Sequence, residues 1–260
     1  MENVIPYSFR LKESGIVMIV PTYNNDGTII AVLDALLAYT NDIIIVNDGS
    51  TDQTAMLLEK YQSQVTIIQY TLNKGKGNAL RLGFQKAMAL GFRYALTIDS
   101  DGQHYAKDMI LFLKDIEQHP NSLIVGSRIL KQKNMPEGNT FANKFSNFWF
   151  HLQTGISLPD TQSGYRLYPL HLMGTMPLWT NRYEAELELL VFSAWRGIAL
   201  RALPISVYYA PPEEKVSHFR PFQDFGRISL LNTLLVVLAV LYGYPSLLLR
   251  KIFLKIKSKP

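Results

Sequence analysis

Short apolar runs alternate with helix-period stretches through the first half of the chain. Residues 15–20, 42–46, 65–69, 94–98 and 122–125 are rich in Ile, Val and Leu and short, so they read as five buried strands. Between them apolar residues recur every three to four positions. Ile29, Ile30, Val32, Leu33, Leu36 and Leu37 mark one helix, with Asp26 or Thr28 as its expected cap. Residues 51–62 mark a second, capped by Ser50 or Thr51, and residues 78–90 a third, closed by Gly91. Met109, Ile110, Phe112, Leu113 and Ile116 mark a fourth. Strands alternating with helices at this pitch predict an α/β fold with a mainly parallel sheet flanked by helices. Such sheets bind ligands beyond the carboxyl ends of their strands.

The second half is less regular. Residues 131–140 are polar, contain Pro136 and Gly138, and read as a loop. Residues 141–153 are aromatic-rich and read as a helix, residues 160–166 as a tight segment around Ser163-Gly164, and residues 181–195 as a helix with Leu187, Leu190 and Val191 inward. Glu184, Glu186 and Glu188 on that helix read as a solvated face, with contact to a bound sugar as the sharper alternative. Residues 198–209 read as a strand broken at Pro204, and residues 211–215 as a loop. Trp179 and Trp195 are expected in the core, while Phe145, Phe148, Trp149 and Phe150 either pack there or line a lipid-facing opening.

Charge changes the picture at the C-terminus. The chain has 260 residues, 26 Lys and Arg against 21 Asp and Glu, and a formal net charge of +5. Arg250, Lys251, Lys255, Lys257 and Lys259 carry that whole excess, and residues 228–249 before them hold no charge. A nucleic-acid-binding surface spreads its basic residues over a groove or helix face, so this pattern counts against that class. An apolar run followed by a basic cluster points to a membrane surface. The run is long enough to cross a bilayer, but Gly243 and Pro245 are expected to break it. A single span would also place the basic cluster opposite the catalytic side, against the positive-inside tendency. The expectation is therefore a monotopic or re-entrant tail: a helix that dips into the membrane, turns at residues 243–245, and continues as a surface helix with Leu247, Leu248, Ile252, Phe253 and Ile256 in lipid. Deleting the chain from Ile228 onward is expected to release it from membranes. The division is residues 1–220 as the catalytic domain and 221–260 as the membrane-associating helices. Zero Cys excludes disulfides and thiol chemistry. The first ten residues lack the basic-then-apolar pattern of a signal peptide, so the catalytic part is expected to stay in the cytoplasm.

Four motifs lie at predicted strand ends. Asp99 and Asp101 follow the fourth strand two residues apart; in an extended backbone both face the same side, where they can share one Mg²⁺ or Mn²⁺. The bland alternative is an Asp-rich turn capping the next helix. Pro21-Thr22-Tyr23-Asn24 ends the first strand and Asn47-Asp48-Gly49-Ser50-Thr51-Asp52 the second. Asn73-Lys74-Gly75-Lys76-Gly77 precedes a helix, where backbone N–H groups and lysines can hold phosphate. It is not a Walker A loop.

Taken together, in this order and spacing, these motifs resemble the family 2 (GT-A fold) glycosyltransferases. Asp101-Gly102-Gln103-His104, Gly126-Ser127-Arg128 and residues 160–166 (Asp-Thr-Gln-Ser-Gly-Tyr-Arg) are similar to the dolichyl-phosphate mannosyltransferase, or polyprenyl-phosphate glycosyltransferase, branch. The resemblance covers about residues 14–220. Two positions depart from the usual pattern: Asn25 stands where an acid follows Tyr-Asn, and Asn47 where an Asp begins Asp-Asp-Gly-Ser. The Gln-x-x-Arg-Trp motif of processive polysaccharide synthases is absent. The resemblance implies that Pro21, Tyr23 and Asp48 line a nucleoside pocket and that Lys76 approaches the diphosphate. It implies Asp99, Asp101 and Gln103 at the metal and donor, Arg128 at an acceptor phosphate, and Asp160 and Gln162 near the transferred sugar. Asp160 is the candidate general base where the acceptor is a hydroxyl. His104 is expected to orient the Asp101 turn. His218 and Arg220 would belong to a lid over the phosphates. The implied activity is a metal-dependent, inverting transfer of a hexose, mannose or glucose foremost, from a nucleoside diphosphate sugar to polyprenyl phosphate at the cytoplasmic membrane face. Two alternatives are transfer to a sugar or glycolipid in cell-surface polysaccharide synthesis, and a non-catalytic nucleotide-sugar-binding membrane protein.

Overall fold

The computed structural model describes residues 6–128, 137–174, 178–208 and 221–257, with the side chains of residues 137–141, 221–225 and 253–257 left aside. Residues 131–136 of the expected 131–140 loop, the loop at 211–215, His218 and Arg220 therefore lie outside the described residues.

The strands are β1 (Ile16–Thr22), β2 (Ile43–Asp48), β3 (Thr66–Tyr70), β4 (Tyr94–Thr97), β5 (Ser122–Arg128), β6 (Arg166–Pro169) and β7 (Ala199–Ile205). They form one sheet in the order β3-β2-β1-β4-β6-β5-β7. All neighbours are parallel except β6, which runs antiparallel to both β4 and β5. Every residue of β1, β2 and β4 is buried, as near-continuous apolar runs in a sheet covered on both faces require. The sequence pattern misses β6, because four residues beginning with an arginine carry no alternation to detect. The strand expected to break at Pro204 does not: Pro204 pairs in register with Ser127. β7 is an edge strand, where a missing N–H leaves no neighbour unsatisfied.

The helices are α1 (Tyr7–Glu13), α2 (Ile29–Leu37), α3 (Thr54–Leu58), α4 (Lys76–Ala89), α5 (Met109–Gln118), α6 (Glu137–Thr154), α7 (Leu170–Met173), α8 (Glu184–Trp195), α9 (Pro221–Leu238) and α10 (Tyr244–Lys257). α6 starts at Glu137, inside the stretch read as loop. The second predicted helix is shorter than expected and neither Ser50 nor Thr51 caps it; Asp52 accepts the Thr54 N–H at 2.9 Å instead. Thr28 stands at the N-cap of α2, but its hydroxyl donates to the Ser100 carbonyl at 2.6 Å. Two apolar cores fill the faces of the sheet. One gathers α2, α5 and the first strands around Leu33, Phe112 and Ile124. The other gathers α4, α6, α8 and α9 around Phe84, Phe150 and Trp195.

The tail departs from its expectation. No turn forms at residues 243–245. A π-helical turn over Ala239–Gly243 joins α9 to α10, and Tyr244 keeps right-handed helical angles. A proline lacks the N–H for an interior helical bond, and a wider π-turn just before Pro245 accommodates it without reversing the chain. Gly243 makes room for Trp195, whose Nε1 would lie 2.4 Å from an added Cβ. One side of this helix belongs to the second core, with Leu231, Leu235 and Ala239 buried. Gln153 Nε2 donates to Asn232 Oδ1 at 2.8 Å in the buried seam between α6 and α9. Trp195 Nε1 donates to the Gln153 carbonyl at 2.8 Å and ties α8 to the same seam. The other side exposes Leu230, Leu234, Val237, Val240, Leu241, Leu248 and Leu249. The 27 residues from Gly226 to Ile252 are long and apolar enough to cross a membrane.

Candidate active site

The carboxyl ends of β1, β2 and β4 bring the motifs to one edge. Asn24 takes a positive φ of 50°, which asparagine tolerates, and its Oδ1 accepts the Thr51 N–H at 2.8 Å. Its own N–H donates to Ser50 Oγ at 3.0 Å, so the loops after β1 and β2 are stitched together. The two positions that depart from the usual pattern both make local hydrogen bonds. Asn25 Nδ2 donates to the Tyr23 carbonyl at 3.1 Å and to Ser100 Oγ at 2.9 Å, and a carboxylate can donate neither bond. Asn47 Oδ1 accepts the Ser50 N–H at 3.1 Å. Pro21 is buried, and its carbonyl accepts from Ser100 Oγ at 3.2 Å.

Asp48 faces the Gly-Lys loop. Its carboxylate accepts from Tyr70 Oη (2.7 Å), Lys74 N (2.8 Å), Gly75 N (2.7 Å) and Asn73 Nδ2 (3.0 Å). Burial, then the neighbouring Asp48 charge, pushes the Tyr70 phenol above its ordinary range. Asp48 therefore shapes the turn into α4. The Asp48→Asn substitution would set an amide N–H₂ against backbone donors; we expect a loss of about 2–4 kcal/mol of stability, read from urea unfolding.

The two glycines of the loop serve close packing. Gly75 has φ +97°, and an added Cβ there would lie 2.4 Å from the Asn181 carbonyl oxygen. At Gly77 it would lie 2.4 Å from Ala185 Cβ. The start of α4 thus abuts the start of α8, and Asn78 N donates to the Asn181 carbonyl at 3.1 Å. Gly77→Ala is expected to destabilise by about 1–3 kcal/mol through overpacking, seen as a lowered thermal midpoint.

That contact delivers a buried ionic triad. Lys76 Nζ lies 2.7 Å from Asp99 Oδ1 and 2.9 Å from Glu186 Oε2. Burial opposes the Lys76 charge, yet Asp99 and Glu186 together hold its ammonium above its ordinary range. Burial likewise opposes the Asp99 charge, but Lys76, with Arg166 beyond it, holds it below the ordinary carboxylate range. Asp101 differs: burial, then Asp99, pushes it up to about 6. The Gln103 N–H donates to Asp101 Oδ1 at 3.0 Å, and the Gln103 carbonyl accepts the Tyr208 N–H at 2.8 Å. His104 is held neutral, with burial lowering it to about 4, and its Nδ1 is buried without a hydrogen-bond partner among the described residues. The charges of Asp99, Arg128, Lys76 and Asp160 all act on it.

Arg128 ends β5 and meets Asp160 in a fork: Nε to Oδ2 at 2.6 Å and Nη2 to Oδ1 at 3.0 Å. Asp160 also accepts the N–H groups of Arg128, Gln162 and Ser163, which fold the 160–164 segment around it. The Gln162 side chain turns to the Ala142 carbonyl at 3.3 Å. Gly164 lets this segment reach Asp99 and Lys76, since a Cβ would lie 2.5 Å from Asp99 Oδ2 and 2.9 Å from Lys76 Nζ. Arg220 lies outside the described residues.

Two buried residues bond to these groups in a way the sequence patterns do not specify. Arg166, fully buried, donates to the carbonyls of Ser163 (2.6 Å), Thr161 (2.8 Å) and Glu186 (2.6 Å). Glu186 grips Lys76. The glutamates are not a solvated face: all twelve residues of α8 are buried, and Glu188 accepts from the N–H groups of Trp179 and Thr180. The signal was present, because a helix with Leu and Val on every side has no face left for water. Trp179, expected in the core, is half exposed.

Residues 17–169 match the family model described as glycosyl transferase family 2. The chain belongs to this family. It is a glycosyltransferase, as the motif resemblance implies. It is 31% identical over 215 residues to a UDP-N-acetylglucosamine–dolichyl-phosphate N-acetylglucosaminyltransferase of Methanococcus voltae, covering 75% of this chain and 86% of that protein. It is 24% identical over 216 residues to the human dolichyl-phosphate beta-glucosyltransferase, covering 73% of this chain and 66% of that one. Among solved structures, glucosyl-3-phosphoglycerate synthase from Mycobacterium tuberculosis, in complex with Mn²⁺, UDP and its product, superposes with a TM-score of 0.63 at 16% identity. That match covers 90% of this chain and 82% of the other, and bears out the GT-A fold.

The donor set suits a hard divalent cation. Two carboxylates sit on one loop, and one of them is short of compensating charge, as its raised proton affinity records. Among the described residues no third carboxylate or imidazole completes a cage, so the donor phosphates would supply further oxygens.

Proposed function

We propose that the protein transfers a hexose from a nucleoside diphosphate sugar to a polyprenyl phosphate at the membrane surface. The observation that carries this reading is the Lys76–Asp99 pair packed against Gly164, in the same 160–164 segment whose Asp160 forks with Arg128. The names of the relatives support gluco-configured sugars, glucose or N-acetylglucosamine, before mannose.

Asp99 and Asp101, with Gln103 beside them, would hold Mg²⁺ or Mn²⁺ against the donor diphosphate. That ion, when bound, neutralises the charge that builds on the leaving group. Lys76 supplies a second positive charge at the same place from a preorganised, buried position. Pro21 and Tyr23 border the nucleoside side. Arg128 offers a planar guanidinium to the acceptor phosphate. An acceptor phosphate attacks as an anion already, so Asp160 serves by holding Arg128 and folding the 160–164 segment. Inversion follows from attack opposite the departing diphosphate.

Residues 1–220 form the catalytic part in this reading, and the exposed apolar side of residues 226–252 rests in the cytoplasmic leaflet, with Arg250 and Lys251 at headgroups. The helix is a fixed wall of the catalytic part on its buried side, which would keep the site at a constant height above the lipid.

The ion has a pH signature. Because Asp101 titrates at about 6, a proton competes with the metal below that value. Mn²⁺ affinity, read from the free-ion EPR signal, is expected to fall about tenfold per pH unit below about pH 6 and to level off above it. A flat profile would remove Asp101 from the ligand set.

A further inference from the structure

We infer that Glu186 is a positioning residue for glycosyl transfer: it is the tether that keeps Lys76 at the diphosphate site when Asp99 is given over to the metal. The inference rests on the proposed metal-dependent reading and assigns a role to a helix that carries none of the family motifs quoted above.

The ammonium of Lys76 has two carboxylate partners, and their situations differ. Asp99 follows β4, in the loop that also holds Asp101. Glu186 lies in the first turns of α8, with its backbone carbonyl fixed by Arg166 Nη1 at 2.6 Å. Lys76 opens α4, and the close approach at Gly75 and Gly77 locks that start to residues 181–185. Lys76 and Glu186 are therefore parts of one rigid corner, whereas Asp99 reaches the same ammonium from the opposite wall. Without a metal ion, Lys76 serves as the cation of Asp99. When the metal takes the Asp99 carboxylate, that contact is lost. A buried ammonium with no remaining partner would be expelled from the site or would keep competing for Asp99. Glu186 prevents both outcomes. It retains Lys76 on its own side, within reach of the phosphate oxygens, and weakens its hold on Asp99.

This differs from a merely structural ion pair in what it does to metal binding. With Glu186→Gln, Lys76 is left to Asp99 alone, so the lysine becomes a stronger competitor and Mn²⁺ affinity falls. With Lys76→Gln the competitor is gone, and Mn²⁺ binds at least as tightly as in the unaltered protein. In the Lys76→Gln background, Glu186→Gln then has no further effect. A through-space loss of negative charge would weaken Mn²⁺ by the same factor in both backgrounds.

The experiment measures Mn²⁺ binding to the full-length protein in detergent by EPR, with and without UDP, for the unaltered chain, both single variants and the double variant. Circular dichroism and thermal melting establish that each variant is folded, and Glu186→Asp replaces any that is not, its shorter carboxylate restoring part of the affinity. The expected result is a loss of about tenfold for Glu186→Gln alone and less than about twofold in the Lys76→Gln background. Equal losses in both backgrounds, or none in either, overturn the tether. If the unaltered chain binds no Mn²⁺ even with UDP, the metal-dependent reading falls first and the tether with it. That outcome is distinct from one in which Mn²⁺ binds and the cycle shows no coupling.

Discussion

Asp99→Asn is expected to reduce sugar transfer by about a thousandfold or more while leaving the protein folded but weakened. In the proposed reading Asp99 is the point where the chain's own cation and the metal would meet, with Lys76 Nζ 2.7 Å from Oδ1 and Gly164 pressed against Oδ2. An amide keeps the shape and loses the charge, so it neither holds the ion nor balances Lys76. Removing one partner of a buried charge group costs about 3–5 kcal/mol when nothing replaces it. Here Glu186 remains 2.9 Å from the ammonium, which softens that cost. The measurement is initial transfer rate at saturating Mn²⁺, alongside urea unfolding. Activity within about tenfold of the unaltered enzyme would show that the reacting diphosphate lies elsewhere.

Deleting residues 228–260 is expected to unfold the protein, not to liberate a soluble catalytic domain. From sequence, such a deletion reads as removal of a membrane foot. The structure places Leu231 and Leu235 in the core, each of a kind whose loss costs about 2–5 kcal/mol, and leaves Gln153 without Asn232. The sum rivals the whole stability of a typical domain, about 5–15 kcal/mol. The informative change is instead on the exposed side. Replacing Leu230, Leu234 and Leu241 together by Ser removes three apolar side chains of about 1.5–3 kcal/mol each from lipid contact and leaves the core intact. Vesicle flotation is expected to show release of the triple variant with an unchanged thermal midpoint. If it floats as before, the membrane contact is on another surface.

The parts of the fold legible in the sequence are those where burial imposes a pattern. β1, β2 and β4 are apolar runs because the sheet is covered on both faces, and α2 and α5 show the helical period because each buries one side. β6 is illegible because its four residues are specified by neighbours on both sides and by the Arg166 hydrogen bonds, not by its own composition. The candidate site divides the same way. Local motifs near strand ends give Asp48, Lys76, Asp99 and Asp101, and the family resemblance adds Arg128 and Asp160. Their partners are non-local: Glu186 is more than a hundred positions from Lys76, and the glycines that join them read as a phosphate loop until the contact with residues 181–185 is seen. Residue spacing carries no information about which carboxylate an ammonium meets across two helices. The tail misleads for a related reason. Gly243 and Pro245 do break an α-helical pattern, but the response is a π-turn that seats Trp195, and only the packed partner reveals it.

The central claim is transfer to a membrane-bound phosphate. It is tested most directly by incubating membranes containing the protein with Mn²⁺ and radiolabelled UDP-glucose, UDP-N-acetylglucosamine or GDP-mannose in turn, then extracting lipid. Label is expected in a lipid that mild acid cleaves, as a sugar–phosphate–polyprenol linkage requires, from one of the two UDP-sugars, and not with Asp99→Asn. Label that appears only in acid-stable polymer, or in no lipid from any donor, would contradict it.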